Sequence, residues 1–191
     1  LCSQGASSHS FEQLYFALLP QYQDVILDDL CEVLASEDER MMFYYRMYNY
    51  LGSGFTLGAG PLFQCDWKML KEACMKHPSV LPQRFAHMCP VYKYSDTGVS
   101  QGFSDFFLWL CDNFGDQKQM LHSFSSNMGT YSWSGISGFS DFIAVRIPFL
   151  KELVRHTNPT VAEWATLELE FIQKEVTQEK GKEAYERMIR S

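Results

Sequence analysis

Cys74, His77, His87 and Cys89 bring together the residue types that ligate zinc, with a Cys-x-x-His step in the first pair. The second pair, His-x-Cys, would point to different sides of a helix, and the paired spacings of zinc-finger motifs are missing. Core cysteines and helix-end histidines are therefore expected, and no metal. Six cysteines and five histidines also offer nucleophile and base pairs, but no nucleophile motif surrounds any of them. A hydrolase using Cys and His, or an unrecognised metal site, is the alternative reading of the chain. The glycine-rich run Gly52-Ser53-Gly54-Phe55-Thr56-Leu57-Gly58-Ala59-Gly60 resembles a phosphate cradle only in composition. A phosphate loop needs a preceding strand, a following helix and a Gly-Lys-Ser/Thr end, and all three are missing. Asp28/Asp29 and Glu168/Glu170 read as solvated helix faces rather than paired acids in a cleft. No catalytic residue and no cofactor are assigned.

Better candidates for function lie in two loops, which contain Phe55, Leu57 and Phe63 in one and Tyr131, Trp133 and Ile136 in the other. Aromatic side chains beside glycines anchor protein partners because Tyr and Trp bury large areas with few torsions. The competing expectation is that the loops fold back and seal a core.

Helices must position these loops. Phe11 to Leu19 and Tyr22 to Ala35 read as a pair broken at Pro20, the second burying Val25, Ile26, Leu30, Val33 and Leu34. Ser36 and the following acids start a third helix, about 37–51. Asp66 caps Trp67 to Lys76, His77-Pro78 ends it, and Leu81 to Met88 follows. Gly102-Phe103-Ser104-Asp105-Phe106 recurs as Gly138-Phe139-Ser140-Asp141-Phe142. That spacing lies within the roughly 20–50 residues typical of repeat proteins. Each copy is expected at an equivalent helix start, the first helix ending at Gly115, with Asp116 capping the next. Phe139 to Arg155 reads as one helix kinked at Pro148. Asn158-Pro159 opens the last helix, with Val161, Trp164, Ala165, Phe171, Ile172 and Val176 inward and a charged cap or tail from about 178. A fainter echo joins Lys71-Glu72, His77 and Val80 to Lys151-Glu152, His156 and Val161, at nearly twice the roughly 40–47 residue period of HEAT-like pairs. No segment shows strand alternation. The fold class is all-α: a short α-solenoid of antiparallel helical pairs with two long Gly/Ser/aromatic loops.

The composition fits one domain spanning residues 1–191, with 46% hydrophobic and 15% aromatic residues to build its core. A net charge of −7 argues against nucleic acid as the main partner. No run approaches the roughly 20 apolar residues of a membrane span, so a cytoplasmic location with reduced cysteines is expected. The start at Leu1 suggests a C-terminal fragment of a longer protein.

Pro148, Phe149-Leu150, Leu153, the Asn158-Pro159 turn, Val161 and Ala165 resemble the apolar skeleton of a HEAT repeat. His156 and Ala162 replace its usual turn Asp and following Arg, so the polar ladder between units is expected to be absent or altered. Asp112 to Asp116, Ser125 to Gly135 and His156 to Ala165 also resemble C-terminal helical regions of large multidomain bacterial defence or signalling proteins. The resemblance implies a non-enzymatic interaction, scaffold or sensor module. Its partner would be another protein or upstream domains of the same polypeptide.

Overall fold

The structure is a computed structural model in which residues 17–36, 60–95, 100–128 and 138–190 are described. The described chain is mostly helical. It divides into two compact units, Leu1–Pro90 and Val91–Ser191.

In the first unit, α1 (Gln23–Ala35) packs against α2 (Trp67–Lys76) and α3 (Leu81–Met88), with a 3-10 turn at Pro61–Gln64. The buried side of α1 is Leu27, Leu30, Cys31 and Leu34. Val25 is exposed, while Ile26 and Val33 sit at the margin. The face is thus rotated from the expected one, because Leu27 and Cys31 complete the four-residue steps that Leu30 and Leu34 also satisfy. Asp66 starts α2 as expected, its carboxylate accepting from the Lys68 amide at 2.8 Å. Arg84 of α3 donates to the carbonyls of Leu34 and Ser36, supplying partners for the C-terminal end of α1. The expected helix 37–51 lies outside the described residues.

The second unit contains a strand pair that the sequence reading missed. β1 (Tyr92–Tyr94) and β2 (Ser100–Phe103) run antiparallel, pairing Tyr92 with Phe103, Lys93 with Gly102 and Tyr94 with Ser100. The register shift between Lys93 and Tyr94 leaves Gln101 as a bulge, and Gly102 beside it takes a φ of 144°. α4 (Asp105–Phe114), α5 (Lys118–Met128), α6 (Phe139–Ala144), α7 (Ile147–Leu153) and α8 (Pro159–Arg190) follow. α8 packs on α5, α6 and α7. The core is aromatic: Phe107 lies 4.7 Å from Phe103 and 4.6 Å from Phe124 between ring centroids, with Trp164 beside both Phe107 and Phe124.

The two Gly-Phe-Ser-Asp-Phe copies are not equivalent helix starts. In the first, Gly102 and Phe103 end β2, and Ser104 caps α4 by accepting from the Phe107 amide at 3.1 Å. In the second, Gly138 itself is the N-cap, at φ 89°, and Ser140 already lies within α6. The same five residues therefore start helices two positions apart. The expected kinked helix from 139 to 155 is instead two helices, with Pro148 in the first turn of α7, where its missing N–H has no bond to break. Asp116 does not sit at the cap of α5, which begins at Lys118; its carboxylate accepts from Asn158 Nδ2 at 3.0 Å.

Candidate interaction face

The residues singled out for chemistry do not converge. Cys74 and Cys89 are buried, His87 is exposed, and His77 Nε2 lies 3.3 Å from Glu32 on α1. Among the described residues no three His, Cys, Asp or Glu side chains are grouped to hold a metal ion. Burial pushes the Cys65 thiol up to about 11 and Cys31 to about 12, with Cys74 and Cys111 raised further in the same direction for the same reason. An activated cysteine needs the opposite shift. The described cysteines, Cys31, Cys65, Cys74, Cys89 and Cys111, are all buried.

His156 looks like half of a catalytic dyad but is held on both nitrogens. Its Nε2 is 3.0 Å from Asp112 Oδ1, and its Nδ1 accepts from the Asn158 amide at 3.1 Å. With Nδ1 accepting, Nε2 donates to Asp112, so neither nitrogen remains to take a substrate proton. His156 and Asn158 instead tie the start of α8 to Asp112 at the end of α4 and to Asp116 just beyond it. Asp28, Asp29 and Glu170 are exposed, as solvated faces should be, but Glu168, expected with them, is half-buried because its carboxylate accepts from the Ser125 hydroxyl beside Trp164.

Of the loop aromatics, Phe55, Leu57, Tyr131, Trp133 and Ile136 lie outside the described residues. Phe63 is in the core of the first unit, 3% exposed and in edge-to-face contact with Phe85 at 6.1 Å. Its carbonyl accepts from Trp67 Nε1 at 2.9 Å.

Two polar groups that sequence reasoning missed are built into the second unit. Arg146 is 2% exposed and donates from Nη1 to the Met128 carbonyl at the end of α5. Its guanidinium lies 4.9 Å from the Tyr92 ring centroid and 5.4 Å from that of Phe142. The signal was a single cation inside the apolar run Phe142 to Leu150. Glu183 is the other. Its carboxylate accepts from the Gly138 amide at 3.1 Å, the Ser140 amide at 3.1 Å and the Ser140 hydroxyl at 2.9 Å. The Ser140 amide, then the Ser140 hydroxyl, the Gly138 amide and nearby Arg187 hold it below the usual carboxylate range against the effect of burial. No local pattern marked it, because its partners lie more than forty residues earlier. It also corrects the reading of the C-terminal segment, which continues α8 to Arg190 and is anchored by a buried acid.

The exposed apolar surface gathers on α8. The helix starts on Asn158, whose Oδ1 accepts from the Thr160 amide at 2.9 Å, and Pro159 takes the first position. Val161, Trp164, Ala165, Ile172 and Val176 face the core, and Trp164 Nε1 donates to Ser125 Oγ, which in turn donates to Glu168. Phe171, expected inside, is 62% exposed, and Leu167, Tyr185, Met188 and Ile189 are at least as open as 60%. At roughly 100° per residue, Leu167, Phe171, Gln178, Tyr185 and Ile189 fall within about 40° of one another around the helix. Leu167 with Phe171 and Tyr185 with Ile189 form the apolar ends of a stripe about 33 Å long, whose central stretch of about 21 Å carries Lys174, Gln178 and Gly181. These four side chains, with Met188 on the flank beside Ile189, amount to roughly 600 Å² of exposed surface divided between the two ends of the helix, each end the size of a patch common on a monomer.

No protein-family model matches the chain, and no curated protein or solved structure matches it.

Proposed function

We propose that this chain is a non-enzymatic protein-interaction module, a scaffold or sensor arm built from stacked helical pairs, and that it binds through the exposed face of α8. The observation that carries this reading is the stripe of Leu167, Phe171, Tyr185 and Ile189, flanked by Met188, on a helix otherwise anchored to its unit by Val161, Ile172, Val176 and Glu183. Apolar surface of that extent on a rigid element is the usual mark of an interface. The bonds from His156 to Asp112 and from Asn158 to Asp116 support a HEAT-like arrangement. They join one helix start to an earlier helix end with different residues from the family's Asp and Arg ladder. Among the described residues, buried, raised thiols and a doubly held histidine favour this reading over the hydrolase alternative. Among the described residues no helix is long and apolar enough to cross a membrane. The likeness of the loops to bacterial defence proteins makes the module, within this proposal, a recognition arm whose partner is a protein or another part of the same polypeptide.

The test is a photo-crosslinking side chain placed at position 171 and, as a control, at Asp112. Protein adducts from 171 and none from 112 are expected. A chain whose position 171 yields no protein adduct at all would end the proposal.

A further inference from the structure

We infer that the occupant of the α8 stripe is a second copy of this chain, the two helices pairing antiparallel about a two-fold axis at Gln178. The inference rests on the interaction reading above and adds the partner to it. The apolar positions of the stripe read alike from both ends: Phe171 and Tyr185 lie equally far from Gln178, and beyond them so do Leu167 and Ile189. Antiparallel pairing therefore sets Phe171 against Tyr185 and Leu167 against Ile189, twice over. Parallel pairing would stack Lys174 on Lys174 at the centre.

Three further observations favour a copy of the same helix. Gly181 lies within a long helix, where glycine is unfavourable relative to alanine. A Cβ there would meet no described atom within 4 Å, so packing within the chain gives no reason for it. In the antiparallel pair it faces the aliphatic stem of Lys174 from the other copy, a large side chain against a small one. Charge is mixed along the seam: Glu175 and Lys182 lie on the same side of the stripe, and the two-fold sets Lys182 of each copy beside Glu175 of the other on that flank and level with Lys174 of the other across the stripe. Lys182 already holds Glu179 at 2.5 Å, so the pairing would join an existing ion pair into a network. Finally, the four stripe side chains covered on both copies remove roughly 1,000 Å² from water, the low end for protein interfaces. A dimer of moderate affinity is the consequence.

Sedimentation of the whole chain over a concentration series is expected to show a reversible monomer–dimer equilibrium. Phe171→Glu should raise its dissociation constant roughly 30-fold or more, the effect of an interface hot spot. Glu175→Lys and Lys182→Glu should each weaken it roughly three- to tenfold, and together restore it, because the double variant re-forms the pair in reverse. Gln178→Cys should cross-link to itself under mild oxidation, whereas Leu167→Cys should not. Circular dichroism of each variant checks that the helices are intact; the surface position of all five makes unfolding no explanation of the pattern. A chain that remains monomeric at about 1 mM overturns the inference. So does self-cross-linking of Leu167→Cys as efficient as that of Gln178→Cys, or a double charge swap no tighter than the singles. Photo-adducts from position 171 separate the two levels. Adducts of twice the chain mass support self-pairing, adducts only to other proteins leave the interaction reading standing without it, and no adduct removes both.

Discussion

Glu183 shows how one side chain can hold two distant parts of the second unit together. The carboxylate accepts three hydrogen bonds from Gly138 and Ser140, two of them from the unpaired amides at the start of α6. Its affinity for a proton is lower folded than unfolded, so its contribution is fully present above its ordinary value near 4.5 and is lost as pH falls through the lower folded value. Wild-type Tm should therefore exceed that of Glu183→Gln at neutral pH, and the gap should close as the solution is made more acidic than pH 4.5. A gap independent of pH would show that packing, not charge, is what Glu183 supplies. Gly115 gives a second residue-scale prediction. Its backbone is helical at φ −59°, which any residue adopts, but an added Cβ would meet the Cys111 carbonyl and Val161 Cγ2, both at 2.4 Å. Gly115→Ala should cost about 1–3 kcal/mol in urea denaturation, the range of overpacking without rearrangement. Arg146→Lys should lose about 2 kcal/mol, because an ammonium cannot lie flat between the Tyr92 and Phe142 rings while donating to Met128.

Helix ends were legible in the sequence where they depend on neighbours in the chain, and illegible where they depend on residues far away. Asp66, His77-Pro78 and Asn158-Pro159 place their boundaries by local chemistry: α2 begins and ends, and α8 begins, accordingly. The repeated pentapeptide misled because each glycine answers a different demand. Gly102 turns a bulged strand and Gly138 caps a helix, and which occurs is decided by the strand partner Lys93 in one case and by Glu183 in the other. The ribbon itself has strands of three and four residues, too short for alternation to register. The exposed half of α8 was equally hidden: Phe171 and Ile172 are adjacent and apolar, and only the packing of α6 and α7 determines which turns inward. The inequivalence of the two copies is open to test. Ser104→Ala removes the side-chain cap of α4 and should cost about 1 kcal/mol with a loss of amide protection at Phe107. Ser140→Ala leaves the α6 amides still bonded to Glu183, so protection there should persist.

At the scale of the molecule, each unit has its own set of buried apolar side chains. Leu27, Leu30, Leu62, Phe63, Leu70 and Phe85 are buried in the first, and Phe106, Phe107, Leu110, Phe124, Leu150 and Val161 in the second. The second unit also completes its own polar bonds: Arg146 with Met128, Glu183 with Ser140, His156 with Asp112 and Asn158 with Asp116 all join residues beyond Pro90. A segment with this aromatic core and these internal bonds has the ingredients of an independent folding unit, although the buried Tyr92 and Ser100 hydroxyls meet no described partner. Residues 91–191 expressed alone should therefore unfold in a single cooperative transition, with near-ultraviolet circular dichroism from packed Trp109 and Trp164. For a chain of about 100 residues the unfolding enthalpy near 60 °C should be roughly 60–80 kcal/mol. A gradual transition with no near-ultraviolet signal would mean that this core requires residues 1–90, and the division at Pro90 would then mark a change in contact density rather than a boundary of stability.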